Sequence, residues 1–131
     1  MWSARWRRCS TSPVSGLPEV VAVDGREPDR RSLRVNIAAE AAAYAGHFPG
    51  LPLLPGVAQV DWALKLARLH LPAVAAYRGE FQRLERLKFR KVIVPGARLR
   101  LELAWAAPAL DFCYVGEAGG AVFSQGRILL T

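Results

Sequence analysis

The sequence predicts an α+β fold in which an antiparallel β-sheet wraps one long central helix. Three observations carry this. Val57 to Leu71 places apolar residues at Val57, Val60, Ala63, Leu64, Ala67 and Leu71, the spacing of a helix. Alternating polar and apolar residues recur on both sides of it, at Ser32–Ile37 and Arg98–Trp105. Between them Pro49, Pro52 and Pro55 exclude both helix and central strand and stiffen the connection.

The elements follow in order. Leu17 to Val23, bounded by Pro18 and Asp24-Gly25, reads as a first strand. Gly25 to Arg31 is a charged turn containing Pro28, and Ser32 to Ile37 a half-buried strand. Ala38 to Ala45 is Ala-rich and compatible with one helical turn before the loop Gly46 to Pro55. Trp62 and Leu66 extend the apolar surface of the following helix nearly all round, which predicts a buried helix, and Pro72 stops it. After Tyr77 the chain reads as strands. They are Phe81 to Phe89, Arg98 to Trp105, Phe112 to Val115 and Ala121 to Val122-Phe123 across a Gly116–Gly120 turn, then Arg127 to Leu130. Phe81 and Phe89 alternate with charges and are expected in the core. A sheet covering an apolar helix seldom closes around it alone, so a dimer joining two sheets is expected.

No repeat or long linker divides the 131 residues. Residues 17–131 are expected to form one domain behind a basic, flexible leader, 1–16. At 52% hydrophobic content the chain can bury a core without disulfides or metal. Cys9 and Cys113 stand in no ligand-like spacing and read as free thiols. The basic start lacks a following apolar run, and the helix carries Asp61, Lys65 and Arg68. Neither a secretory signal nor a membrane span is expected, and a cytoplasmic protein is. The net charge is +7, with a basic excess between Arg78 and Arg100 that includes Arg86, Lys88, Arg90 and Lys91. Such a field suits an acidic partner: nucleic acid, an anionic membrane surface or an acidic protein. A solvated basic face without a partner fits equally. No nucleic-acid recognition motif accompanies the charges, so nucleic acid is not expected.

The chemistry gathers at Gly46-His47-Phe48-Pro49-Gly50 through Pro55-Gly56-Val57 to Asp61. A neutral imidazole at His47 can accept a proton near physiological pH. Equally, a loop histidine can simply hydrogen-bond its loop. Gly56 opens the helix, where backbone N–H groups lack internal partners and the dipole is positive. A thioester carbonyl placed there would have a developing enolate oxygen stabilised, although an ordinary helix start looks the same. Asp61 lies fourteen positions after His47 among apolar neighbours. Burying it ionised costs several kcal/mol, so a buried Asp61 would stay protonated and act as a general acid. A basic partner at a dimer seam would satisfy it instead. His70 receives no role, and no phosphate loop, dinucleotide fingerprint or zinc spacing occurs.

The unbroken run His-Phe-Pro-Gly-Leu-Pro-Leu-Leu-Pro-Gly-Val from His47 to Val57, with an acid at Asp61, resembles the β-hydroxyacyl-acyl-carrier-protein dehydratases of the hot-dog fold. Leu87 to Leu99 resembles that family's second signature, a basic strand, a Pro-Gly turn and a further strand. The resemblance implies dehydration of a 3-hydroxyacyl thioester to the trans-2-enoyl thioester without cofactor or metal. His47 would be the base, Asp61 the acid and Gly56 the backbone donor. Phe48, Pro49, Leu53, Val57 and Trp62 would line the substrate. The implied partner is an acyl carrier protein bearing the chain on phosphopantetheine, docked on Arg86, Lys88, Arg90 and Lys91. At least a homodimer is implied, with a trimer of dimers or a hetero-oligomer open, and each site would pair one subunit's histidine with the other's acid.

Aspartate in place of glutamate is similar to the branch that also isomerises. Leu64 and Lys65 stand where the family often carries a glutamine. Asp61-Trp62 after Pro-Gly-Val-Ala-Gln is similar to dehydratases of aryl-polyene pathways. A hot-dog thioesterase and a non-catalytic acyl-binding subunit remain the other readings.

Overall fold

The computed structural model describes residues 7–8, 17–37, 54–94 and 96–131. Its elements are β1 (Arg7–Arg8), β2 (Glu19–Asp24), β3 (Arg30–Asn36), α1 (Gly56–His70), α2 (Pro72–Ala75), β4 (Phe81–Phe89), β5 (Arg98–Ala106), β6 (Ala109–Gly116) and β7 (Val122–Leu130). The sheet runs β1-β2-β3-β5-β6-β7-β4, every pair antiparallel. Thus α1 and α2 carry the chain from β3 to the opposite edge, and β5 returns to pair with β3. Arg7 and Arg8 pair with Val23 and Ala22, so this part of the basic leader is a short strand. The Ala-rich segment 38–45 lies outside the described residues.

The alternation in β5 translates directly into packing. Leu99, Leu101 and Leu103 are buried, whereas Arg100 and Glu102 between them are partly exposed and hydrogen-bonded to each other at 3.2 Å. Leu33, Val35, Leu110, Phe112, Tyr114, Ile128 and Leu130 join the same core. Trp62, Ala63, Leu66 and Ala67 of α1 pack against it, set on one face by the helical spacing of three and four. Fully burying each large apolar side chain contributes about 1.5–3 kcal/mol, so this seam is the main source of stability.

Three differences from the sequence reading have physical causes. Pro72 ends α1 but also opens α2, because a proline at a first helical position loses no intrahelical donor. β7 is continuous where two short strands were expected. Ser124 and Gly126 interrupt the apolar pattern without interrupting the pairing: Ser124 is buried, and a Cβ on Gly126 would sit 2.9 Å from both Leu87 Cδ1 and Phe112 Cε2. Phe81 and Phe89 are not core residues. They are 51% and 49% exposed on β4, which among the described residues pairs with β7 alone and forms the sheet's edge.

His70 sits half-buried in the last turn of α1, and burial, then the charge of Arg31, lower its pKa from the ordinary value. The unfolded chain therefore binds this proton more readily than the native one. Stability contributed by neutral His70 is expected to decline as pH falls below about 6.5, and to level off below the lowered native value. Urea midpoints at pH 7.5 and 5 should differ less in His70→Gln than in the wild type; equal differences would remove His70 as the cause.

Candidate active site

The site is built around the start of α1. Its first turn follows Pro55, which is extended and provides no side-chain cap to the helix. The first amides of α1 thus keep the positive helix end without a capping oxygen from their own N-cap. Gly56 leaves room for the Phe89 ring: a Cβ there would lie 2.6 Å from Cζ of Phe89, so the ring would have to move. The β4 edge therefore lies directly against the helix start.

Asp61 stands five positions after Gly56. The expectation that its carboxyl is buried is corrected by the structure. Its side chain is 50% exposed, and Oδ2 lies 2.9 Å from Lys65 Nζ one turn on. The cause is again helical spacing. Val57, Asp61, Lys65 and Leu69 form a stripe at intervals of four, opposite the face that packs on the sheet. Val57 is 84% and Leu69 59% exposed, so α1 is not apolar and buried all round; it presents an open stripe with a charged pair at its centre.

Trp62 belongs to the other face. It is 2% exposed and packs in the core instead of on an open surface. His47, Phe48, Pro49 and Leu53 lie outside the described residues. Leu54, next in the chain, is buried, and its N–H donates to the Ile93 carbonyl at 2.7 Å.

Gln59 is the residue that the sequence reading passed over. It is 3% exposed, and its Nε2 donates to the Leu54 carbonyl at 3.2 Å. Its Oε1 accepts from Ser124 Oγ at 2.6 Å, and its backbone carbonyl accepts from the Tyr114 hydroxyl at 2.7 Å. Tyr114 and Ser124 are cross-strand partners on β6 and β7. Burial, then the charge of Asp61, push the Tyr114 hydroxyl well above its ordinary pKa, so it remains a donor. The available signal was a glutamine at helical spacing from Trp62, Ala63 and Leu66, on the buried face.

Arg86, Lys88, Arg90 and Lys91 are exposed along and just beyond β4. Arg86 has φ of +54° where the β4–β7 register shifts between Glu85 and Lys88. Such a bulge interrupts the edge strand and re-aims its side chains. Lys91 Nζ lies 5.7 Å from the Phe123 ring centroid. Among the described residues no cluster of His, Cys, Asp or Glu could hold a metal ion. Cys113 is a free thiol whose pKa is raised, first by burial and then by Glu102, which opposes thiolate chemistry. No described helix is long and apolar enough to cross a membrane.

Comparison with known proteins decides the family. The family model of ApeI-like proteins, described as ApeI dehydratase, matches residues 24–127. The chain belongs to the ApeI-like dehydratase family. This ApeI-like dehydratase is 34% identical to the 3-hydroxyacyl-acyl-carrier-protein dehydratase FabZ of Acetivibrio thermocellus over 78% of this chain and 75% of that protein. It is 37% identical to the FabZ of Pelotomaculum thermopropionicum over 52% of this chain and 51% of that one. Among solved structures, the dehydratase heterocomplex ApeI:P from Xenorhabdus doucetiae matches with a TM-score of 0.75 at 30% identity. That match covers 86% of this chain and 96% of that one. A zebrafish thioesterase superfamily member 2, at 12% identity and a TM-score of 0.60, shares the fold alone. The ApeI-like dehydratase thus has the hot-dog fold, and it is a lyase.

Proposed function

We propose that the chain removes water from a 3-hydroxyacyl thioester carried on acyl carrier protein, in fatty-acid or aryl-polyene-type biosynthesis. The observation that carries the reading is the uncapped start of α1 at Gly56, with Asp61 on the open stripe of the same helix. The Gly56 amide polarises the thioester carbonyl, and His47 takes the α-proton. Asp61, acting in its protonated form with its Lys65 pair opened, binds the β-hydroxyl and gives it that proton, so that the Cβ–O bond breaks and water leaves with formation of the trans-2 double bond. Proton exchange with solvent then resets His47 and Asp61. No cofactor takes part, because the carbonyl acidifies the α-carbon. Family membership and the FabZ relatives support the substrate class.

The open stripe of α1 and the β4 edge support assembly with a second subunit, whose loop would cover Asp61. The Xenorhabdus relative is a heterocomplex, which favours a second hot-dog subunit of different sequence beside the homodimer. We place the reaction in the cytoplasm, alongside the carrier protein.

The test is mass spectrometry of carrier-bound 3-hydroxyacyl chains, aliphatic and aryl-polyene-like, incubated with the protein alone and with a co-expressed hot-dog partner. Loss of one water is expected. Unchanged acyl chains with released free thiol would replace the reading with a thioesterase.

Docking of an acidic carrier on Arg86, Lys88, Arg90 and Lys91 predicts salt dependence, since exposed charges are screened over about 8 Å at physiological ionic strength. Arg86→Glu with Lys88→Glu is expected to raise KM for the carrier substrate about tenfold and leave kcat unchanged, mainly through slower association. A KM indifferent to both salt and charge reversal would remove these cations from docking.

A further inference from the structure

We propose that Gln59 is a positioning residue for the reaction: it holds the Leu54-Pro55-Gly56 junction in place from behind, so that the first amides of α1 remain both free and aimed. This deepens the dehydratase reading and rests on it for its catalytic consequence.

A helix start normally gains order from an N-cap side chain that accepts a bond from the first-turn amides. That solution would occupy the donors a substrate carbonyl needs. Pro55 provides no such cap. The junction is held by different means. The Leu54 N–H is bonded to Ile93 and the Leu54 carbonyl to Gln59 Nε2, so both backbone polar groups of the residue preceding Pro55 are fixed. Neither bond uses an amide of Gly56, Val57 or Ala58.

The Gln59 amide has one orientation. The Leu54 carbonyl can only accept, so Nε2 faces it, and Oε1 must face the Ser124 hydroxyl, which donates. The Tyr114 hydroxyl fixes the backbone of the same residue from the adjacent strand. Gln59, Ser124 and Tyr114 are 3%, 0% and 0% exposed, so water cannot substitute for a missing partner without a rearrangement. The sheet pair Tyr114–Ser124 therefore sets the position of the helix turn that carries Gly56. Placement errors near 1 Å at a reacting centre can cost about a hundredfold in rate.

Gln59→Leu removes the side-chain bonds while keeping most of the volume, and Ser124→Ala removes only the donor that orients the amide. Both are assayed with the double variant, below each protein's melting temperature, for kcat and KM on a carrier-bound 3-hydroxyacyl thioester. Gln59→Leu is expected to lower kcat about 10- to 100-fold and to change KM less than threefold. Ser124→Ala is expected to lower kcat less, and the double variant to be no slower than Gln59→Leu, because Ser124 acts through Gln59. Exchange of the Leu54 amide, followed by NMR, is expected to quicken at least tenfold in Gln59→Leu. Wild-type kcat in a folded Gln59→Leu protein, or multiplicative effects in the double variant, overturns the proposal. If Gln59→Leu does not fold, undiminished kcat and unchanged Leu54 exchange in Ser124→Ala overturn it. A wild type that dehydrates nothing sinks the dehydratase reading instead, and the exchange of Leu54 still decides whether Gln59 holds the junction.

Discussion

Asp61→Asn is expected to lower kcat for dehydration by about 10²–10⁴-fold, the range for removing a positioned general acid, with KM changed less than threefold. His47→Ala is expected to do the same at the α-proton. Asparagine keeps the shape of the side chain and loses the acid, so Asp61→Asn separates chemistry from packing. The pairing of Asp61 with Lys65 has to open before the carboxyl can serve as the acid, and little opposes that. An exposed i,i+4 pair is worth about 0.3–0.5 kcal/mol, and both side chains are at least half exposed. Approach of a second subunit's loop can displace Lys65 at little cost. Rapid-quench mass spectrometry over one turnover checks the prediction. A folded Asp61→Asn protein with wild-type single-turnover rate would show that the hydroxyl leaves without help from this residue.

What was legible in the sequence followed from burial on one side. In β5 every second residue meets the core, so Leu99, Leu101 and Leu103 stand out against Arg100 and Glu102. The helix and its proline boundaries were legible for a similar reason, since Pro55 and Pro72 have few backbone options. The failures lie where one residue serves two demands. The stretch between Phe123 and Arg127 falls outside the strands read from the sequence, yet its Gly126 lies within β7 at a close approach to Leu87 and Phe112. Gln59 drew no expectation because it is polar amid an apolar helix, and it is buried because Ser124 and Leu54 satisfy it. Phe81 and Phe89 looked like core because they alternate with charges as a half-buried strand does. Hydrophobicity reports that a residue is to be covered and does not report by which chain. The same ambiguity hid the setting of Asp61, whose apolar neighbours in sequence lie on other faces of α1. The motif from His47 to Val57 pointed to the chemistry before any geometry, while its first seven positions lie outside the described residues.

Val92→Asp is expected to dissociate the assembly and abolish most activity together, with the fold of each chain intact. Val92 is 63% exposed, so the substitution does not place a charge in the core of the single chain. It does place one in the segment that leaves β4, where Val94 is 47% exposed; Phe89 and Val57, 49% and 84% exposed, add apolar surface at the end of β4 and the start of α1. Phe89 touches Gly56, and Ile93 between the two valines bonds Leu54, so this apolar surface and the site share residues and backbone contacts. If a second subunit covers it, an unpaired buried carboxylate costs about 3–5 kcal/mol. At about 1.4 kcal/mol per factor of ten, that weakens association by roughly 10²–10³-fold or more. Activity should then return as protein concentration is raised, in step with the mass measured by sedimentation, while circular dichroism stays that of the wild type. Surface bulk alone would behave differently: Lys65→Met, on the open stripe but without a new charge, should leave the mass unchanged. If Val92→Asp sediments as the wild type does and dehydrates at full rate, the apolar surface around Val92 is not the subunit seam.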